Sequence, residues 1–170
     1  MKKYLKALVS LTAICAVVAI LMAGVNLFTA PIIAENERIA TEKAMLAVLP
    51  DGEGFLPVTP EADLPDTVKE IYVDLSGGYV FKLKTAGYAA GLVLMVGVRA
   101  DGSVAGATVI ASSETLGVEE SYGEHLLGAT SDTLAAVDTV SGATRTTAAY
   151  KNAVRDALYA FSLLSSDGER

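Results

Sequence analysis

Residues 7–34 contain no charged side chain, and within them residues 8–28 are mostly Leu, Val, Ile, Ala and Met. About 20 such residues in a helix cross the hydrocarbon core of a bilayer, so the chain is expected to begin with a transmembrane helix over residues 7–30. Lys2, Lys3 and Lys6 precede the run and Glu35 and Glu37 follow it. That bias puts residues 1–6 in the cytoplasm and the remainder outside, a single pass through the cytoplasmic membrane. A cleaved signal peptide has the same basic start, but its apolar core is shorter, and no convincing small-x-small site precedes Glu35. Cys15 lies mid-span; as the only cysteine it can form no internal disulfide and reads as a small apolar residue.

Beyond the span, Pro31 is expected to end or kink the helix. Ile33, Ile39, Met45, Leu46, Val48 and Leu49 then mark a second, shorter amphipathic helix closing at Pro50. Residues 51–66, with Pro57, Pro60 and Pro65, read as an irregular connection. Residues 31–66 thus lead to a domain over 67–164, with a polar tail at 165–170.

That domain shows two hairpin patterns. Residues 70–75 and 79–85 flank Ser76-Gly77-Gly78, and residues 92–99 and 104–111 flank Ala100-Asp101-Gly102-Ser103, where Asp-Gly favours a tight turn. Ile71, Val73 and Leu75 alternate with Tyr72 and Asp74, predicting one wet face, whereas residues 92–98 are almost wholly apolar, as in a central strand covered on both sides. The expected fold is α+β: a four-stranded, largely antiparallel sheet with helices before and after it packed on one face.

Composition excludes several functions. Net charge is -7, and setting aside Lys2, Lys3 and Lys6 leaves 10 basic against 20 acidic side chains, a surface that repels nucleic acid and anionic lipid. His125 is the only histidine and has no cysteine or carboxylate set around it, so no metal site is expected. No phosphate-binding Gly-x-x-x-x-Gly-Lys loop, His-Glu-x-x-His or nucleophile elbow occurs, and no catalytic residue is assigned.

The stretch that carries chemistry is Asp138-Thr139-Val140-Ser141-Gly142-Ala143-Thr144, followed by Arg145-Thr146-Thr147. From Tyr150 onward Ala153, Val154, Ala157, Leu158, Phe161 and Leu164 recur at helical spacing, so a helix begins near Thr146. Thr144, Thr146 and Thr147 stand where an N-cap would, and Gly142 permits a tight turn just before. A Gly/Ser/Thr loop at a helix N-terminus receives a phosphate through unpaired N–H groups and the positive dipole end. An ordinary capped helix after a turn has the same pattern.

The run Asp-x-x-Ser-Gly-Ala-Thr leading into Thr-Thr and a helix resembles the signature of the covalent FMN-binding domain family. That family includes the G subunit of the Rnf electron-transport complex and the C subunit of the sodium-pumping quinone reductase. The stretch around Thr29-Ala30-Pro31-Ile32, with Asn36, Arg38 and Val48-Leu49-Pro50, is similar to the Rnf G juxtamembrane segment. The resemblance implies FMN joined through a phosphoester to the side-chain oxygen of Thr144; chemistry alone does not choose between Thr144, Thr146 and Thr147. Asp138, Ser141 and Gly142 are then recognition and positioning residues, and Ala143 and Thr147 belong to the implied cofactor-binding set.

A second loop, Ser112-Ser113-Glu114-Thr115-Leu116-Gly117-Val118, is similar to the family's Glu-Thr-Pro-Gly-Leu-Gly loop against the flavin. Glu114, Thr115 and Gly117 match it; Leu116 replaces proline and Glu119 the second glycine. The resemblance further implies a flavin transferase for maturation, partner membrane subunits, and electron relay within an Rnf-type ferredoxin:NAD oxidoreductase that exports ions. Two alternatives stay open. One is a free-standing anchored FMN carrier for an extracellular reductase. The other is a flavin-free extracytoplasmic binding or assembly module.

Overall fold

A computed structural model describes residues 2–60, 63–114 and 117–167. The chain divides into two compact units, one up to Ala40 and the other from Thr41 on.

The first unit is helical throughout. Helix α1 (Lys2–Val48) begins here and continues through Pro31, so the helix does not end there. Proline costs one backbone hydrogen bond, and the helix-forming residues on both sides, Ala30 and then Ala34, Glu35 and Arg38, carry the helix past it. The hydroxyls of Thr12 and Thr29 donate to the carbonyls of Leu8 and Val25 one turn back, at 2.9 and 3.0 Å, which satisfies both groups within the apolar stretch. This helix is long and apolar enough to cross a membrane.

The second unit is α+β. Five strands, β1 (Phe55–Val58), β2 (Val68–Asp74), β3 (Tyr79–Ala86), β4 (Ala90–Val98) and β5 (Val104–Ala111), form one sheet in sequence order with every neighbour antiparallel. Strands β2 to β5 are the two expected hairpins, and Gly77 and Gly102 turn them at φ +87° and +80°. Strand β1 corrects the reading of residues 51–66 as irregular. Its Pro57 pairs opposite Tyr72 on an edge strand, where a missing N–H is tolerated. Asp74 draws in the approach to β1: its carboxylate accepts from the N–H groups of Glu53, Gly54 and Ser76 and from the Ser76 hydroxyl. Expected on a wet face, Asp74 is buried instead, and Leu75 is exposed.

The sheet is covered on both faces rather than one. Helix α3 (Thr144–Asp167) packs Tyr150, Ala153, Val154, Ala157 and Leu158 on one side against Phe81, Leu83, Leu92, Leu94, Val96 and Val98. This is the apolar stripe of the sequence, with Phe161 and Leu164 half-buried at its end. On the other side the last two turns of α1 place Ala44, Met45 and Val48, with Leu49 just beyond, against Val80, Met95 and Ala105. Ile33, Ile39 and Leu46, expected on the same apolar face, are exposed. Gly97 and Gly106, opposite each other in the β4–β5 register, make this approach possible. A Cβ on Gly97 would lie 2.3 Å from the Val48 carbonyl oxygen, and one on Gly106 2.8 Å from the Val48 backbone. Between β5 and α3 run the short helix α2 (Glu119–Tyr122) and two 3-10 turns. His125 is exposed there.

Candidate functional site

The turn before α3 is built by Gly142. With φ +86° it lets the Ala143 N–H return to the Val140 carbonyl at 3.1 Å, the pattern of a type II turn, which requires a left-handed third residue. The helix starts at Thr144, two residues earlier than expected, so Thr144 is its first residue and Ala143 stands at the cap position. The threonine hydroxyls do not cap it. Thr147 donates to the Ala143 carbonyl and accepts from the Val140 N–H, and Thr144 donates weakly to the Val140 carbonyl at 3.4 Å. Thr146 donates to Glu114 at 2.6 Å. Among the described residues no side-chain oxygen accepts from the N–H groups of Thr144, Arg145 or Thr146. The first turn therefore keeps its donors and its positive dipole end for an anion.

Beneath the loop the backbone is fastened from inside. Tyr122 donates to the Asp138 carbonyl at 2.9 Å, and Lys151 donates to those of Ala135 and Val137 at 2.8 and 2.6 Å.

Glu114 joins three segments. Its carboxylate accepts from the N–H groups of Tyr88 and Ala89, at 3.2 and 3.0 Å, and from the Thr146 hydroxyl. The turn between β3 and β4, the loop after β5 and the first turn of α3 are thereby tied together. Gly87 has no room for a side chain, since a Cβ there would lie 2.6 Å from the carboxylate. Burial pushes the Glu114 carboxyl up, but the Thr146 hydroxyl, the two N–H groups and the charge of Arg145 together hold it below the usual range.

Around this junction lies a cleft of about 480 Å³ lined by Tyr88, Glu114, Gly142, Ala143, Thr144, Arg145 and Thr146. Its size is that of a small-ligand site. The Arg145 guanidinium sits over the Tyr88 ring, 5.9 Å from its centroid.

Of the residues singled out in the sequence, Glu114, Gly142, Ala143 and Thr144 meet at this cleft. Thr147 is fully buried beneath the turn. Asp138, Ser141 and Gly117 are exposed and do not line it. Thr115, with Leu116, lies outside the described residues. Glu119 points inward, 3% exposed, one oxygen accepting from Ser112 at 2.6 Å and the other without a partner among the described residues. Gly87, Tyr88 and Arg145 were not anticipated; a glycine followed by an aromatic residue at a strand-to-strand turn was the available signal for the first two.

The three candidate acceptors now differ. Thr147 is buried and Thr146 is buried with its hydroxyl committed to Glu114, whereas Thr144 is exposed at the cleft.

Comparison with known proteins agrees with this geometry. Residues 87–159 match the FMN-binding domain family, a stretch that begins at the glycine against Glu114 and includes the whole cleft lining. Residues 2–48 match the RnfG N-terminal region. The chain is 33% identical over 121 residues to the G subunit of the Na(+)-translocating ferredoxin:NAD(+) oxidoreductase complex of Acetobacterium woodii. That alignment takes in 62% of this chain and spans 58% of the relative's length. The chain is thus similar to RnfG proteins, with residues 2–48 matching the RnfG N-terminal region and residues 87–159 the FMN-binding domain.

Proposed function

We propose that this protein is a membrane-anchored flavoprotein that carries FMN covalently on Thr144 and relays electrons as the G subunit of an Rnf-type complex. The observation that carries the reading is the placement of the Thr144 hydroxyl. It is exposed on the cleft, in the first turn of a helix whose leading N–H groups have no side-chain cap among the described residues.

The residues present suit the group. The N–H groups of Thr144, Arg145 and Thr146 and the helix dipole favour a phosphoryl group at this end of α3. Gly142 has nothing within 4 Å of where a Cβ would stand, so the turn leaves open space beside the acceptor. A bound flavin supplies the electron chemistry on its own ring, and no acid–base pair from the protein is required. The chain's own part is to hold that ring in the cleft. Glu114 and Gly87 fix the spacing of the walls, and Lys151, Tyr122 and Thr147 fix the backbone that bears the acceptor.

A threonine hydroxyl without an adjacent base is a weak nucleophile, so attachment calls for a flavin transferase using FAD. The Thr144 Oγ1–P bond forms, the phosphoanhydride bond to AMP breaks, and the hydroxyl proton leaves with the transferase's base. In the proposed topology residues 1–6 are cytoplasmic, 7–30 span the membrane, 31–66 connect, and the FMN domain at 67–164 with its tail lies outside. There a phosphoester keeps the flavin from being lost. Other membrane subunits of the complex are the partners.

Thr144→Ala tests the acceptor. Co-expressed with a flavin transferase, the variant is expected to fold and to carry no covalent flavin, read by absorbance after denaturation. Covalent flavin on that variant would contradict the assignment.

A further inference from the structure

We infer that Arg145 sets the electrostatic environment of the flavin ring, stabilising its negatively charged reduced form, with Tyr88 holding the guanidinium at the cleft wall. The inference rests on the reading of the cleft as the FMN site and adds to it a residue that tunes the cofactor.

Position is the first argument. Arg145 follows the acceptor directly, and both line the cleft. Its guanidinium reaches across to a residue of another segment, Tyr88 of the β3–β4 turn, at 5.9 Å from the ring centroid. Both side chains are exposed, and a cation over an aromatic face is modestly favoured in such a place.

Helix physics is the second. Arg145 is the second residue of α3, at the positive end of the macrodipole, where a cation is disfavoured. Helix stability gives no reason for a cation at this place; an anionic ligand does, and the charge of reduced flavin would add to that of its phosphate.

The third is the absence, among the described residues, of a competing direct partner. Glu114, the carboxylate of the cleft, has its oxygens occupied by Tyr88, Ala89 and Thr146. Its interaction with Arg145 is through space, and among the described residues the guanidinium makes no hydrogen bond, which leaves those donors for a ligand.

The chemistry follows from charge. An oxidised flavin ring is uncharged at neutral pH. Two electrons from a low-potential donor and one proton from water leave it with one negative charge. A fixed cation beside the ring favours the charged product over the uncharged reactant, and protein walls screen that attraction less than open water does. The midpoint potential therefore rises.

The test is a potentiometric titration of the full-length, flavinylated protein in detergent, with dithionite as electron donor. Wild type, Arg145→Gln, Arg145→Lys and Tyr88→Leu are compared, with covalent flavin in each quantified after denaturation. Arg145→Gln is expected to lower the ratio of reduced to oxidised flavin at a fixed applied potential by about threefold to tenfold. Tenfold corresponds to about 30 mV for a two-electron couple. Lysine should restore most of the difference, added salt should shrink it, and Tyr88→Leu should give a smaller shift in the same direction. Coincident potentials for wild type and Arg145→Gln, both loaded, would overturn the inference alone, as would a lysine variant that behaves like glutamine. A wild-type chain that takes up no flavin would overturn the reading of the site and this inference with it.

Discussion

Both carboxylate oxygens of Glu114 accept hydrogen bonds from the chain itself, so this residue serves the cleft by holding three segments at fixed spacing. Because its folded-state pKa lies below the ordinary 4.5, the unfolded chain binds more protons on acidification. The stability it contributes is complete above that value and is lost as pH falls through the folded one. Glu114→Gln should therefore cost about 1.5–3 kcal/mol at neutral pH, the scale of hydrogen bonds to a charged group. The gap to wild type should close as the pH falls below 4.5, followed by thermal unfolding at a series of pH values; a gap that widened in acid would contradict the assignment. At this scale the sequence carried Thr144, Gly142 and Glu114 through a motif and a loop resemblance. Gly87, Tyr88 and Arg145 were not legible, because it is tertiary packing that brings the β3–β4 turn to the first turn of α3. Nor was the burial of Asp74, whose four donors include backbone N–H groups some twenty residues away.

Among the elements, the seating of the α1 end on the sheet depends on two glycines. Gly97→Ala puts a Cβ within 2.3 Å of the Val48 carbonyl oxygen, and backbone cannot yield as a side-chain tip does. A loss of about 1–3 kcal/mol is expected, the usual cost of overpacking. Thermal unfolding of the full chain in detergent measures it; unchanged stability would mean that the helix end is not held at this spacing. The helix α3 was legible because its buried face repeats over several turns, and β2 to β5 because glycine turns separate apolar runs. Strand β1 was not, since four residues containing Pro57 carry no period and pair only as an edge. The continuity of α1 through Pro31 was missed for a related reason. Proline signals a local cost, and whether flanking residues outweigh it depends on the whole helix. That the sheet is covered on both faces was half visible in the unbroken apolar run of β4, but the hairpin alternation pointed to a wet face.

For the whole molecule, an apolar helix long enough to cross a membrane precedes a compact α+β unit that carries the cleft. Protease added outside spheroplasts should digest the unit that follows the span, and full protection would reverse the proposed orientation. The acidic balance of that unit favours basic or uncharged partner surfaces over nucleic acid or anionic lipid. The proposed function turns on a covalent flavin on one threonine, and the most direct measurement is the intact mass of the full-length protein made with and without an active flavin transferase. A transferase-dependent gain equal to FMN less water, mapped to the peptide containing Thr144, is the result expected. No gain, with the transferase shown to act on another substrate, would contradict it.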